Sequence, residues 1–469
     1  MPVKGGTGLA ASTRGSARLS RVDWSRKHLT LMELRAAPRG TGVSAARARL
    51  KVLFVVPDLP RPSVSVRGIT GGTEALSGSH VSFLLVADHL AGRGHEVGIY
   101  IGSGDVLTET HARQFGQLES ALAWLGDGRV VLCSWDEPHT AEKLKRAGVR
   151  PVVWLEVDVS RAMLRALEAN EYEGLLVVSD TTRLTSLRSP ARDRIGRVYN
   201  PVNPFFGSGI PASPDRYASG SLVSAGYFGE SKGVHRLLAM WPKIRAARPT
   251  AVLSIAGSSR LYGEGRPVGS LGLADPAFEE KYLLPLVRQF GSLEAAGVRP
   301  VGLLSPDGLR ALYSKSALGV LNMNWDNYIE TYSCAAVEML ATELPVFGVA
   351  AGALPETVGR SGGAVLASTP DLGAAADEII GLLDRPDRLA ELGRRGREFV
   401  LERYSLQGIG ETWERLLRRP ASDLASRSGR WSGKRGLRYW IEWTAGAAGL
   451  GRVLDQLARW LKGTVEATR

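Results

Sequence analysis

Short continuous apolar runs, separated by segments of helical length, dominate the chain after residue 50. The first run, KVLFVV at residues 51–56, has no polar position after its lysine, as a parallel strand covered on both faces requires. Helical spacing follows at residues 81–90, and further apolar runs lie at residues 94–101, 130–133, 151–155 and 175–179. This alternation predicts a doubly wound, Rossmann-like α/β domain over residues 51–205.

A second series of apolar runs begins after a stretch rich in Pro, Gly and Ser, within which we place a linker at residues 206–220. The predicted strands of this series lie at residues 222–225, 252–256, 298–304, 318–321 and 345–348. Helices at residues 370–383 and 386–404 belong to a second Rossmann-like domain, residues 221–400, and a closing helix falls within residues 401–419. Two such domains are expected to face a central cleft bordered by the carboxyl ends of their strands.

The positive charge of the chain is concentrated at its two ends. The net charge is +12, of which residues 1–51 carry +9 and residues 427–462 carry +6, so that about −3 remains for the residues between them. A nearly neutral core disfavours nucleic acid as a partner. We interpret residues 1–50 as a disordered basic leader, and the absence of any run of about 18 uncharged apolar residues argues against an integral membrane protein.

Residues 420–469 are predicted to form a basic amphipathic extension. Apolar residues at positions 450, 453, 454, 457 and 461 follow helical spacing, with arginines and tryptophans interleaved. Such a helix fits an anionic membrane surface, which residues 427–469 would contact, and it fits packing against the protein itself. The pattern leaves both alternatives open.

The cysteines at positions 133 and 334 lie far apart in apolar stretches, and we interpret Cys133 and Cys334 as buried free thiols. Free thiols are typical of a reducing compartment. We therefore expect a cytoplasmic protein, which would be peripheral at the cytoplasmic face of a membrane if the extension binds lipid.

Two glutamates eight positions apart flank the passage from a loop into an apolar helix, in the segment ETYSCAAVE from Glu330 to Glu338. A carboxylate has two acceptor oxygens and can bind two vicinal hydroxyls, which the ribose and the hexose of a nucleotide sugar both present. Thr331, Tyr332 and Ser333 would offer backbone N–H groups at a helix N-terminus, where a diphosphate is favoured. The segment therefore predicts a nucleotide-sugar site.

A glycine-rich loop from strand to helix supplies a cation. The loop reads GYFGESKG at residues 226–233, beginning with Gly226 and ending in Lys232 and a glycine. A lysine in a cleft stabilises the negative charge that develops on a departing diphosphate. We therefore expect Lys232 to act in the reaction.

Together these segments resemble the large family of retaining glycosyltransferases, often numbered family 4, that includes sucrose synthase and bacterial lipopolysaccharide and mannosyl transferases. The glutamate pair is followed, as in that family, by an apolar helix, by ELPVF at residues 343–347 and by GALPETV at residues 352–358. The resemblance covers residues from about 51 to 418 and implies the GT-B fold of two Rossmann-like domains. It also implies that Glu330 contacts the donor sugar, Glu338 the ribose and Lys232 the diphosphate.

The resemblance extends to two segments of the first domain. Gly71 and Gly72 are similar to the family's glycine loop, where missing side chains let the backbone approach the donor phosphate or the acceptor. The segment WDEP at residues 135–138 stands where several relatives have His-Glu-Pro, so Asp136 is a catalytic candidate that would orient an acceptor hydroxyl. Glu156 and Asp158 follow a core strand without a second acidic cluster, and we predict neither a metal nor a cofactor.

These expectations describe a hexosyltransferase of polysaccharide biosynthesis. The sugar would move from a nucleoside diphosphate sugar, the co-substrate, to a hydroxyl of a glycan, lipid-linked or small-molecule acceptor, with its anomeric configuration retained. Two other classes stay open. Tyr227, which stands where many family members have arginine, suggests a non-catalytic sugar-nucleotide-binding scaffold, and a nucleotide-sugar epimerase would share the architecture.

Overall fold

The computed structural model describes residues 48–134, 138–184, 186, 189–209, 213–259, 267–321, 323–325, 330–368, 370–420 and 424. Residues 1–47 of the predicted leader and the amphipathic part of the extension lie outside these residues. Among the helices of the described part, none is long and apolar enough to cross a membrane.

The first domain is built on a seven-stranded parallel sheet with the strand order β5-β3-β1-β6-β7-β8-β9. Its central strand β1 is fully apolar after Lys51 and is buried on both faces, as its uninterrupted run predicts. A short parallel pair, β2 and β4, lies apart from this sheet. The strands are β1 Lys51–Val56, β2 Ser63–Ser65, β3 Glu96–Ile101, β4 Val106–Thr108, β5 Arg113–Phe115, β6 Arg129–Ser134, β7 Val152–Leu155, β8 Gly174–Val177 and β9 Ile195–Arg197.

Helices connect these strands and complete the βα alternation. They are α1 Val66–Gly71, α2 Gly78–Gly92, α3 Leu118–Leu125, α4 Pro138–Arg146, α5 Arg161–Glu168 and α6 Asp180–Leu184. Strand β2 and helix α1 lie directly before Gly72, so that Gly71 of the expected glycine loop is the last residue of α1. Ser65 and Ser77 cap the N-termini of α1 and α2 with their side chains, which explains why two helices form there.

The second domain is built on a six-stranded parallel sheet with the order β12-β11-β10-β13-β14-β15. Its strands are β10 Ser221–Ala225, β11 Val252–Ala256, β12 Val298–Gly302, β13 Leu318–Val320, β14 Val346–Val349 and β15 Ala364–Ala367. The sequence pattern missed β15, because a run of four small and apolar residues carries little periodicity. The prediction of a doubly wound α/β fold with two Rossmann-like domains is confirmed.

Within the part of the chain that the structure describes, ten α-helices follow β9. They are α7 Pro204–Gly207, α8 Val234–Ala247, α9 Pro276–Phe278, α10 Leu284–Phe290, α11 Pro306–Tyr313, α12 Cys334–Ala341, α13 Leu354–Thr357, α14 Leu372–Leu383, α15 Pro386–Arg403 and α16 Leu406–Leu417. Helix α7 lies at the start of the predicted linker, where Asn203 caps it and Pro204 begins it.

Helix α16 packs on the first domain although it ends the second in sequence. The ring of Trp413 lies 4.5 Å from Trp154 and 5.9 Å from Phe54, measured between centroids. Glu414 accepts a hydrogen bond from Arg93 Nε at 2.5 Å. The chain therefore crosses back to the first sheet before it ends, and a continuous apolar cluster joins that sheet to α12 and β14.

Candidate functional site

The glycine loop lies at the carboxyl end of β10, with backbone conformations that favour glycine. Gly226 and Gly233 have φ angles of 127° and 73°. A Cβ atom on Gly233 would lie 2.4 Å from the backbone of Met323, and one on Gly257 would lie 1.8 Å from the carbonyl oxygen of Gly226. The glycines let three backbone segments converge at this edge of the sheet.

Lys232 and Glu330, which the sequence singled out separately, form an ion pair. Lys232 Nζ donates a hydrogen bond of 2.7 Å to Glu330 Oε2. The side chains are 21% and 7% exposed, so each charge is largely removed from water and depends on the other. The structure thus brings a cation and a carboxylate together between the glycine loop and the start of α12.

The backbone of Glu330 is held by the segment before α13. Ala353 N donates to Glu330 O at 2.7 Å. Gly352 has a φ of 56°, and a Cβ atom there would lie 2.7 Å from the Glu330 backbone. The Gly-x-x-Pro-Glu segment at residues 352–356 therefore fixes the position of the Glu330 backbone.

Residues 331–333 connect Glu330 to α12 and are buried. Thr331 Oγ1 donates to Glu156 O at 2.7 Å, and Tyr332 OH donates to Asn200 O at 3.0 Å. Ser333 caps α12 by accepting from the amide of Ala336. The side chains of Thr331 and Tyr332 thus bond this loop to the first domain. We call the boundary along which residues of the two domains contact each other the domain seam.

The other end of α12 carries two guanidinium groups. Arg216 donates to the carbonyl oxygens of Thr342 and Glu343, and Arg397 donates to that of Ala341. Cations are favourable at a helix C-terminus because of the helix dipole. The helix that begins beside Glu330 is therefore fixed at both ends.

A cavity of about 510 Å³ opens next to the glycine loop in the second domain. Its wall is mainly apolar and includes Phe228, Ile255, Gly257, Ser258, Leu273 and Leu303. Leu303 at its rim is 57% exposed. The cavity is large enough for a flat ring system with an attached sugar.

Glu338 lines a different, smaller cavity at the domain seam. Its neighbours there include Gly78 and Ser82 of α2, Asn203 and Cys334. Burial raises the pKa of Glu338 to about 8. The structure therefore separates Glu338 from the residues that line the larger cavity, and the contact with ribose stays a prediction.

The first-domain candidates are placed less directly. Gly71 ends α1, and Gly72 has a φ of 85° with its Cα against the ring of Phe205. The carbonyl oxygen of Gly72 accepts from Asp307 N at 3.0 Å, so its contacts here are with α7 and α11. Asp136 lies outside the described residues.

Sequence reasoning missed two groups at the domain seam. Asn200 Nδ2 donates to Glu156 Oε2 at 2.8 Å, and burial raises the pKa of the Glu156 carboxyl to about 7. Glu156 follows β7 directly, and that position at the carboxyl end of a parallel strand was the available signal. Within the described residues, no group of three or more His, Cys, Asp or Glu side chains is arranged to hold a metal ion.

Both cysteines are free thiols, as the sequence indicated, and Cys133 is buried, but the expected burial of Cys334 is incomplete because this residue is half-buried. Cys133 is buried in β6, and Cys334 begins α12. A Cβ atom on Gly78 would lie 2.7 Å from Cys334 Sγ, which shows how closely α2 approaches α12. Burial raises the pKa of each thiol, so neither is an activated nucleophile.

Residues 219–399 match the family model described as glycosyl transferases group 1. A GDP-mannose-dependent monoacylated alpha-(1-6)-phosphatidylinositol monomannoside mannosyltransferase of Corynebacterium glutamicum is 28% identical over 186 residues, which are 40% of this chain and 44% of that protein. An MMP alpha-(1->4)-mannosyltransferase of Mycolicibacterium hassiacum is 34% identical over 110 residues, 23% of this chain and 25% of that protein. The chain thus matches less than half the length of either relative.

The fold is shared with solved structures over a larger span. The HepE protein of Anabaena, crystallised with UDP and glucose, superposes with a TM-score of 0.57 at 14% identity. The match covers 79% of this chain and 99% of that one, so it includes both sheets. Residues 219–399 are therefore similar to the glycosyl transferases group 1 family, and the chain has the two-Rossmann-domain, GT-B fold.

Proposed function

We propose that the chain transfers a hexosyl group from a nucleoside diphosphate sugar to an acceptor hydroxyl and retains the anomeric configuration. The observation that carries this proposal is the ion pair of Lys232 and Glu330, which joins the start of α12 to the glycine loop, and Phe228 of that loop lines the cavity. A cation supports the diphosphate and a carboxylate supports the sugar hydroxyls, so the two sides of the bond to be broken have separate binding groups.

In this proposal the cavity beside Phe228 holds the nucleoside. The diphosphate lies against Lys232 and the N-terminus of α12, where the helix dipole and the lysine charge both favour an anion. Glu330 accepts hydrogen bonds from hydroxyls of the sugar. Because Lys232 and the N-terminus of α12 stabilise the negative charge of the diphosphate, we expect the reaction to proceed without a metal ion.

The bond between the anomeric carbon and the diphosphate breaks while the acceptor oxygen bonds to the same face of the sugar. The acceptor proton passes to an oxygen of the leaving diphosphate, which balances the step without a protein nucleophile. As negative charge grows on the diphosphate, its attraction to Lys232 strengthens. As Lys232 is drawn toward the diphosphate, its bond to Glu330 weakens, and the Glu330 carboxylate can accept hydrogen bonds from the sugar hydroxyls.

The two curated relatives are mannosyltransferases, and one of them uses GDP-mannose. We therefore propose a mannosyl donor as the first to test and a glycan or lipid-linked hydroxyl as the acceptor. A protein that transfers sugar to such an acceptor from a nucleotide donor would work at the cytoplasmic face of a membrane.

The test combines binding and turnover on the full-length protein. Thermal shift with nucleoside diphosphates and their sugars identifies the donor, because a ligand bound only to the folded state raises the melting temperature. Release of free nucleoside diphosphate with the identified donor, in the presence of EDTA, is the expected result. Conversion of the sugar while still attached would indicate an epimerase, and binding without turnover would indicate a scaffold.

Lys232→Met is expected to reduce turnover by about a hundredfold or more, the usual cost of removing a group that stabilises transition-state charge. Lys243→Met is the matched control, since Lys243 lies in α8 and pairs at 2.7 Å with the exposed Asp377. The single change leaves Glu330 unpaired and so lowers stability. The double variant Lys232→Met, Glu330→Gln should recover stability without recovering turnover, and full activity in either Lys232 variant would refute the assignment.

A further inference from the structure

Glu356 in α13 reaches across the domain seam with a fully bonded carboxylate. Its Oε1 accepts from Asp180 N at 2.7 Å and from Tyr199 OH at 2.8 Å. Its Oε2 accepts from Thr181 N at 2.8 Å and from Thr181 Oγ1 at 2.9 Å. All four donors belong to the first domain, whereas Glu356 belongs to the second.

The same short helix holds Glu330 from the other side. Ala353, the residue before α13, donates its amide to Glu330 O at 2.7 Å. Thr357 Oγ1 donates back to Ala353 O at 2.9 Å, which stiffens the turn. Only two residues, Leu354 and Pro355, therefore separate the amide that fixes Glu330 from the carboxylate that contacts the first domain.

A cluster of tyrosines surrounds this connection and extends it to the loop after Glu330. Tyr404 OH donates to Thr357 O at 2.7 Å. The ring of Tyr404 lies 5.2 Å from that of Tyr199 and 5.6 Å from that of Tyr332. Arg403 Nη2 donates to Tyr199 OH at 3.1 Å, so the hydroxyl that binds Glu356 is itself held in place.

The negative charge of Glu356 is stabilised by the amide and hydroxyl donors around it. The two amides it binds open α6, and Asp180, the nearby acid, pairs with Arg183 at 3.1 Å and with Arg197 at 3.2 Å. A carboxylate that accepts backbone and hydroxyl donors in this way is bound more strongly than a neutral acceptor. Breaking it would leave two amides and two hydroxyls at the seam without this partner.

We propose that Glu356 is a positioning residue that holds the two domains in the closed arrangement and so sets Glu330 against the groups of the first domain. Its consequence for turnover rests on the proposed function, whereas its effect on domain arrangement does not. Because the donor binds to the second domain, loss of the contact should lower kcat more than it changes donor affinity. Small displacements of reacting groups cost rate steeply.

The distance between the domains is the direct measurement. Spin labels on Glu119→Cys in α3 and Glu378→Cys in α14, both at exposed positions, report it by pulsed electron resonance. The unaltered background should give one narrow distance. Glu356→Ala should give a broad distribution of distances between the two labels. Glu356→Gln should give a narrower distribution than Glu356→Ala, because its amide keeps one acceptor oxygen. Thr181→Val should change the distribution least.

Glu391→Gln is the matched control, since Glu391 forms only exposed ion pairs with Arg388 and Arg395 in α15. It should leave the distance and the kinetics unchanged. In Glu356→Ala we expect kcat to fall by about tenfold or more while the donor KM stays within about twofold. Thr181→Val removes the hydroxyl bond to Glu356 while keeping the two backbone amide bonds, and it serves as the folded variant if Glu356→Ala does not fold.

A narrow and unchanged distance distribution in the Glu356 variants would overturn the proposal. A lower melting temperature with an unchanged kcat would also overturn it. An equal loss of donor binding and kcat would assign Glu356 to the donor site instead. If no donor is turned over by the parent protein, the function fails while the distance measurement still decides the positioning role. The two failures are therefore distinguishable.

Discussion

Buried carboxyl groups give the candidate site its dependence on pH. Burial raises the pKa of Glu338 to about 8 and that of Glu156 to about 7, so Glu338 carries its proton at neutral pH. The folded protein thus binds these protons more tightly than the unfolded chain. Their contribution to stability is complete below the ordinary glutamate pKa and is lost as the pH rises toward 8.

This protonation predicts a proton release if Glu338 binds ribose. Hydroxyl donors favour the ionised carboxylate, so binding of the nucleoside diphosphate at pH 7 should release a proton, and affinity should rise as the pH increases through 8. Calorimetry in two buffers of different ionisation enthalpy measures the release. Glu338→Gln should abolish it and Glu156→Gln should retain it, whereas a release that persists in Glu338→Gln would exclude Glu338 as its source.

At the scale of elements, helix α12 depends on the residues at its two ends. Ser333 caps its N-terminus. At its C-terminus the guanidinium of Arg216, a residue of the predicted linker, donates to the carbonyl oxygen of Thr342. Arg216 is 5% exposed and binds carbonyl oxygens rather than a carboxylate. The orientation of the helix that begins beside Glu330 is thus coupled to the segment that joins the domains.

Arg216→Met should therefore destabilise the protein by about 2–4 kcal/mol, because buried carbonyl groups lose their donors. Arg415→Met is the matched control, since Arg415 lies on an exposed face of α16 and donates to Thr412 Oγ1 at 2.9 Å. Urea unfolding measures both variants. Equal midpoints for the two would show that the carbonyl end of α12 finds its donors elsewhere.

At the scale of the whole molecule, charge separates the ends of the chain from its core. Residues 427–462 carry +6. Leu424, which precedes this segment, is 1% exposed and lies against Gly174 and Gly196 of β8 and β9. The structure therefore places Leu424 beside the outer strands of the first sheet.

We predict that residues 427–469 bind anionic lipid reversibly. Each basic residue near an anionic leaflet contributes roughly 1 kcal/mol, and added salt should weaken the binding. Cosedimentation with liposomes, with and without phosphatidylglycerol, tests this on the full chain and on a chain ending at Ser426, which keeps Leu424. Equal binding by both chains, or equal binding to neutral vesicles, would favour packing of the extension on the protein.

The local elements and the motif positions followed from the sequence. Uninterrupted apolar runs such as β1 can be buried only between two helical layers, and the glycine loop and the glutamate pair mark strand and helix ends by residue type alone. Boundaries moved by a few residues, and β15 was missed because four residues give too little periodicity. The alternation of elements and the family resemblance were sufficient for the fold.

Only the tertiary structure decided which distant residues meet. Lys232 and Glu330 are brought together because β10 and β13 are neighbours in the sheet, and no local pattern encodes that order. Helix α16 returns to the first domain because Trp413 packs against apolar side chains there, and Glu356 contacts Thr181 because the two domains meet at this point. Local propensity acts over a few residues, whereas these contacts depend on how whole sheets are ordered and packed, which the sequence specifies only through the complete fold.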